Sequence, residues 1–325
     1  MEGTEVKRVK IVFLDAYTTN PGDIAFEELA ALGDFTCFDR VSVDDLPTEA
    51  TNAEVIITNK FKIDTDSLAL FPLLKYVVVA ATGYNNIDIA ALQRQGITAS
   101  NVRGYSTDSV VQHVFSGIFH YFNRIDHYNQ QVKTGRWSKQ ADFCFFDHSI
   151  EELADKTIGI IGLGTIGSRV AVVANALGMN VIAYSHSNNN RGLDFVTLVT
   201  LDTLFVTADI ISLHCPLNDS TKEIINKSTL AIMKNTALLI NTGRGGLIDE
   251  RALFYALDHG VIAAAALDVL IDEPPHITNP LINHVRCIIT PHIAWASKQA
   301  RQRLVTGLAV NIQSYIDGNP INLIT

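Results

Sequence analysis

The stretch IGIIGLGTIGSRV, Ile158–Val170, places glycines at 162, 164 and 167 in a GxGxxG spacing. Alone this spacing is common, and a glycine-rich turn with no ligand would read the same way. Its surroundings narrow the choice. A strand-like run, KTIGII from Lys156, precedes it. A helix-like run, IGSRVAVVANALG from Ile166, follows, and a second strand-like run, NVIAYS from Asn180, comes next. In that order the three glycines allow a tight turn, close approach of backbone to a pyrophosphate, and contact between helix and strand. The N–H groups and positive dipole end of the helix then face the phosphates. The reading is a dinucleotide-binding turn, with Gly162, Gly164, Thr165, Ile166 and Gly167 as cofactor contacts.

Such a turn usually opens its domain, yet here nearly half the chain precedes it. The preceding half has its own strand-like runs: KIVFLDA from Lys10, EVIITN from Glu54 and YVVVAAT from Tyr76. A helix-like stretch, NIDIAALQRQG, closes on Gly96. After the glycine turn come DIISLHCP from Asp209, TALLINTG from Thr236, AAAALDV from Ala263 and CIITPH from Cys287. Apolar runs without alternation suit strands buried on both faces, hence parallel α/β sheets. Two series imply two domains, and a long helical pattern from Asp108 to Trp137 marks the passage between them. The chain ends in another helix, from about Ala296 to Asp317. If it returns to the first domain, the nucleotide domain is an insertion, which explains the late glycines. The expected architecture is therefore α/β, with two Rossmann-like or flavodoxin-like domains. Residues 1–103 plus 296–325 form a substrate domain, and residues 104–295 form the dinucleotide-binding domain.

Of the 325 residues, 47% are hydrophobic and 18% charged, which allows a sizeable core and argues against long disorder. The net charge of −9, with no basic run, argues against nucleic acid or an anionic membrane as partner. The opening MEGTEVKRVKIVFLDA has too short an apolar stretch for a signal peptide. The longest apolar runs, such as VIAAAAL from Val261, are too short to span a bilayer. Cys37, Cys144, Cys215 and Cys287 form no CxxC pair, so reduced thiols in a cytoplasmic protein, with no metal site, are expected.

An acid normally ends the second strand of such a domain and accepts hydrogen bonds from the adenosine ribose. Here Ser185 stands there, followed by His186, Ser187 and Asn188. Without a carboxylate a 2′-phosphate is not repelled, and Arg191 is nearby. A serine can also bind a ribose hydroxyl, so NAD and NADP both stay open.

Three further polar residues follow strand-like runs, where ligands bind in open α/β sheets. They are Arg244 in INTGRGGLIDE, Glu273 in LDVLIDEPP and His292 in IITPHIAW. Singly, each has a plain structural explanation: a carbonyl-capping Arg, a solvated Glu, a structural His. Together they make a chemical set. A 2-keto acid needs its carboxylate and carbonyl oriented, which the planar fork of Arg supplies. The developing alkoxide needs a proton, which a His supported by a Glu donates.

With these residues in place, the chain resembles the D-isomer-specific 2-hydroxyacid dehydrogenase family over nearly its whole length. The resemblance is carried by ATGYNNID, STDSVVQHVF, GIIGLGTIG, LHCPLNDST, LINTGRGGLIDERAL, ALDV, DEPP and TPHIAW. Within the family, PHIAW and FCFFDHSIEELADKTIGIIG are most similar to the branch that interconverts hydroxypyruvate and D-glycerate. The resemblance implies that Arg244 binds the substrate, that His292 is the general acid/base, and that Glu273 pairs with His292. It implies that backbone N–H groups of Thr82 and Gly83 hold the substrate carboxylate. Thr107, Ser185, Cys215, Pro216, Thr242 and Ala294 would line the cofactor, and Asp268 would orient the nicotinamide carboxamide. It also implies a hinge near Arg103 and Trp295 and a homodimer built on the helix from Asp108. Ser185 departs from the family's common acid, and Gln112 stands where many members have Glu. D-lactate-type and phosphoglycerate dehydrogenases are the alternatives within the class. A dinucleotide-sensing corepressor is the alternative outside it.

Some signals are set aside. His113, His120 and His127 recur at heptad spacing and suggest a surface or interface stripe. His276 and His284 do not follow strands as His292 does. The aromatic FCFFDH suggests packing, and Trp295 suits either a substrate pocket or interdomain packing.

Overall fold

Two series of buried strands form two separate parallel sheets in the computed structural model, which describes residues 8–324. The reading of the first seven residues lies outside it. The first unit runs up to Ser106 and resumes from Ala296; the second is Thr107–Trp295.

In the first unit the strands are β1 (Lys10–Phe13), β2 (Asp34–Cys37), β3 (Val55–Thr58), β4 (Tyr76–Val79) and β5 (Thr98–Asn101). They pair in parallel in the order β2-β1-β3-β4-β5. VIIT and YVVV are buried at every position, as central strands covered on both faces must be. Two strands lack an apolar signature. β2 is a half-exposed edge. β5, TASN, buries polar side chains and satisfies them: Ser100 Oγ lies 2.6 Å from Tyr76 Oη, Asn101 Nδ2 donates to Thr82 O at 2.6 Å, and Asn311 Nδ2 donates to the Asn101 carbonyl at 2.9 Å. Asn311 belongs to the last helix, Lys298–Ile316, where Tyr315 stacks on Tyr76 with ring centroids 4.2 Å apart. The terminal helix therefore completes the sheet of the first unit.

In the second unit the strands are β6 (Thr157–Ile161), β7 (Asn180–Tyr184), β8 (Val196–Leu198), β9 (Ile210–Leu213), β10 (Leu238–Asn241), β11 (Ala264–Leu267) and β12 (Cys287–Ile289). Their order is β12-β11-β10-β9-β6-β7-β8, parallel throughout. The order reverses between β6 and β9, the switch point where open α/β sheets bind ligands. Register places the site. Ile161, Leu213, Asn241, Leu267 and Ile289 form one row across five strands. The next residues, Gly162, His214, Thr242, Asp268 and Thr290, therefore leave the sheet side by side, about 4.8 Å apart per strand.

The helical pattern from Asp108 to Trp137 is not one helix. It divides into Thr107–Asn123 and Ile125–Lys133, because Arg124 takes a left-handed conformation (φ 49°). The first piece buries Val110, Val114, Phe115, Ile118 and Phe122 in the core, whereas the second buries nothing. Among the described residues no helix is long and apolar enough to cross a membrane.

Candidate active site

Gly162 follows β6 with φ at +100°, and a Cβ there would sit 2.6 Å from the backbone of His214 and Cys215. Gly167 lies against the Gly162 carbonyl oxygen, where any Cβ would clash. These two glycines press the helix Thr165–Ala176 and β9 onto the turn. Gly164 differs: a Cβ there would meet nothing within 4 Å. It is the N-cap of that helix, and no side chain caps it. Among the described residues, the N–H groups of Thr165, Ile166 and Gly167 meet no acceptor. Open space facing orphan donors at a helix N-terminus fits a dinucleotide pyrophosphate.

The neighbouring side chains add no charge there. Burial pushes the Cys215 thiol up to about 11 and the His214 imidazole down to about 4, so both are neutral near pH 7. His214 escapes sequence reasoning, although its place one residue beyond β9, in the row with Gly162, is the signal for it. Pro216 follows Cys215 in the same loop. Thr107 opens the helix Thr107–Asn123. Thr242 Oγ is buried with no partner among the described residues. Ser185 follows β7, its Oγ 3.0 Å from Ser187 Oγ in an exposed turn. The next residues through Arg191 include no carboxylate.

Arg244 is set by the fully buried Asn241 at the end of β10. Asn241 accepts from Gly243 N at 3.0 Å and donates to Arg244 O at 2.8 Å. Gly245 then packs directly on the Leu270 backbone, leaving no room for a Cβ. That contact draws the Arg244 turn against the loop after β11, which carries Glu273. Arg244 Nη1 donates to Gly243 O at 2.7 Å, and the rest of its fork meets no acceptor among the described residues.

Glu273 and His292 are brought together. Glu273 Oε2 lies 2.6 Å from His292 Nδ1, and Glu273 Oε1 accepts from Leu270 N at 3.2 Å. An ionised carboxylate only accepts, so His292 Nδ1 carries the hydrogen and Nε2 is left for a substrate. His292 adopts φ 54°, an uncommon conformation for a non-glycine residue, and keeps about a quarter of its side chain exposed (27%).

Asp268, buried at the end of β11, holds that conformation. Its Oδ1 accepts from Ile293 N (2.9 Å) and from the Thr290 hydroxyl, and its Oδ2 accepts from Ala294 N (2.8 Å). Its carbonyl accepts from His292 N at 2.8 Å. Ala294 is thus tied to Asp268, and Trp295 packs against the core of the second unit.

The histidine stripe holds in part: His120 is exposed on it, and His113 departs from it. His113 is not on a free surface: its Nε2 is 2.9 Å from Thr290 Oγ1. His127, beyond the helix break, pairs with Asp147 at 2.7 Å. The heptad spacing identified a face but not what that face packs on. FCFFDH is not packing throughout either, since Phe143 (88%) and Phe146 (73%) are exposed.

In the first unit, Thr82 and Gly83 follow β4. Asn101 Nδ2 donates to Thr82 O at 2.6 Å, and Thr82 Oγ1 donates to Val102 O at 3.0 Å. The N–H groups of Thr82 and Gly83 meet no acceptor among the described residues.

The family model for the D-isomer specific 2-hydroxyacid dehydrogenase NAD binding domain matches residues 115–294. The chain is 39% identical over 320 residues to the hydroxypyruvate reductase of Blautia hydrogenotrophica, covering 97% of this chain and 99% of that protein. It is 40% identical over 283 residues to the glycerate dehydrogenase of Methylorubrum extorquens, covering 86% and 88%. An acyclic imino acid reductase solved with NADPH and D-Arg superposes with a TM-score of 0.84 at 33% identity, over 98% of this chain and 100% of that one. The chain belongs to the D-isomer specific 2-hydroxyacid dehydrogenase family.

Proposed function

We propose that the chain reduces hydroxypyruvate to D-glycerate, with glyoxylate as a second substrate. The Glu273–His292 pair, 2.6 Å apart at the edge where β10, β11 and β12 end, carries this reading. A bound nicotinamide supplies the hydride. His292 Nε2 donates the proton to the nascent alkoxide, while Glu273 fixes the ring by its Nδ1 and opposes the charge of the protonated imidazole. Arg244 orients the substrate carboxylate and carbonyl, and the N–H groups of Thr82 and Gly83 bind the carboxylate. Asp268, 2% exposed and with both carboxylate oxygens occupied, holds the His292 loop. A pocket that admits CH₂OH cannot strongly exclude the smaller glyoxylate.

The test is kcat/KM for a panel of 2-keto acids with NADH and NADPH in parallel. Hydroxypyruvate should rank first. Pyruvate or phosphohydroxypyruvate in that place would move the chain to another branch. A dinucleotide that binds without turnover on any of them would favour a sensor.

Between the two cofactors, we propose that NADPH is accepted at least as well as NADH. The turn after β7 carries Ser185, Ser187 and Arg191 and no acid, so hydroxyls and a guanidinium are available to a 2′-phosphate. Ser185→Asp should raise the NADH/NADPH ratio of kcat/KM by about tenfold or more, the factor that 1.4 kcal/mol of repulsion gives. A ratio unmoved by the aspartate would remove Ser185 from the cofactor site.

We also propose that the chain forms a homodimer through the segment beyond the helix break. Ile125 (63%), Trp137 (50%), Phe143 (88%) and Phe146 (73%) are exposed there, large apolar side chains of the kind that interfaces cover. Phe143→Asp with Phe146→Asp should give a monomer in sedimentation velocity where the parent sediments as a dimer. An unchanged dimer would place the interface elsewhere.

A further inference from the structure

A chain of hydrogen bonds runs from the helix Thr107–Asn123 to the loop that carries His292. His113 Nε2 is 2.9 Å from Thr290 Oγ1, Thr290 Oγ1 donates to Asp268 Oδ1 at 2.5 Å, and His113 Nε2 itself is 3.5 Å from that oxygen. The proton positions follow from valence. Asp268, which already accepts two backbone N–H groups, can only accept from Thr290. The Thr290 hydroxyl has one hydrogen and gives it to Asp268, so toward His113 it can only accept. His113 Nε2 is therefore the donor, and its tautomer is set.

The Asp268 carboxylate holds the Ile293 and Ala294 N–H groups on the C-terminal side of His292, and its carbonyl holds His292 N. Asp268 thus fixes a residue whose φ of 54° is not one that histidine adopts freely. If the carboxylate turns, the imidazole moves with the loop. The Thr290 hydroxyl helps to orient that carboxylate, and Thr290 is itself oriented by His113.

We infer that His113 is a positioning residue for the general acid His292, acting through Thr290 and Asp268 and touching neither substrate nor cofactor. This rests on the reading of His292 given above. The cluster lies beside a cavity lined by His113, His120, Thr242, Asp268 and Thr290. Truncating His113 would enlarge that cavity, so packing and hydrogen bonding must be separated. Phenylalanine fills the space and removes the donor, whereas glutamine keeps a donor amide near the Nε2 position.

His113→Phe should lower kcat for hydroxypyruvate by roughly 10- to 100-fold, as sub-ångström to ångström misplacement of an acid does, with KM and the dinucleotide Kd within about twofold. His113→Gln should recover most of the loss. Thr290→Val breaks the same chain from its other end, without touching the helix, and should reproduce the His113→Phe effect. The double variant should be no worse than either alone, because the two act on one link. A merely structural role would lower the melting temperature and leave kcat per folded molecule unchanged. Full kcat in His113→Phe, or a His113→Gln variant as slow as His113→Phe, overturns the inference while leaving the acid in place. Full activity in His292→Ala would instead remove the acid itself, and this inference with it.

Discussion

Replacing His292 with alanine is expected to lower kcat for keto-acid reduction by about 10²- to 10⁴-fold, the usual contribution of a positioned proton donor. The dinucleotide Kd should stay near that of the parent, because the donors proposed to meet the pyrophosphate belong to the glycine turn. Those donors, the N–H groups of Thr165, Ile166 and Gly167, lie at the end of β6, and His292 lies beyond β12 at the far edge of the sheet. The fold itself should tolerate the change. The His292 ring is partly exposed and pairs with Glu273, and its backbone is held by Asp268 through main-chain atoms that alanine retains. The variant removes one donor from Glu273, but that carboxylate keeps the Leu270 N–H and, at one-third exposed (33%), can be solvated. Stopped-flow reduction with a saturating dinucleotide checks the expectation. A variant that turns over hydroxypyruvate at the parental rate would show that the proton comes from elsewhere.

The glycine turn was legible because its requirements are local. Gly162 and Gly167 each lie where a Cβ would strike backbone, and only glycine meets such a demand whatever surrounds it. The central strands were legible because burial on both faces forces continuous apolar runs, as in VIIT, YVVV and LLIN. β2, β5 and β8 were not. The first and last are edges with exposed positions, and β5 buries Ser100 and Asn101, which read as loop residues until Tyr76 and Asn311 are seen to satisfy the first and the Thr82 carbonyl the second. The break at Arg124 involves neither glycine nor proline, so nothing in the local sequence announces it.

The site divides along the same line. His292 and Glu273 stood out because they follow strand-like runs at the ligand-binding edge, and the contact between them spans a short stretch of chain. His113, Thr290 and Asn241 carry no such mark. His113 and Thr290 act through partners remote in sequence and Asn241 through its buried side chain, so their roles depend on register, burial and which side of a helix meets the sheet. The row that places Thr242, Asp268 and Thr290 side by side is a property of strand pairing, and a one-residue slip in any strand would dissolve it.

Arg244→Lys is expected to lower kcat/KM for hydroxypyruvate by roughly 10- to 150-fold, the equivalent of about 1.5–3 kcal/mol for a lost charge-assisted hydrogen bond, with most of the change in KM. Charge is conserved in this substitution, so the loss isolates geometry. The guanidinium does two things at once. Its Nη1 is anchored on the Gly243 carbonyl at 2.7 Å, and the remaining N–H groups, in the same plane, are the ones proposed to meet the substrate. An ammonium has one nitrogen and no plane: if it binds Gly243 it turns from the substrate, and if it turns to the substrate it loses its anchor. The turn should survive, because Asn241 holds Gly243 and Arg244 through main-chain atoms and Gly245 still packs on Leu270. Dinucleotide affinity should therefore be unchanged. Replacement by alanine should be worse than by lysine, since the positive charge is lost as well. If lysine and arginine supported equal kcat/KM across the keto-acid panel, Arg244 would be acting as a point charge at a distance, and the forked contact with the substrate would have to be abandoned.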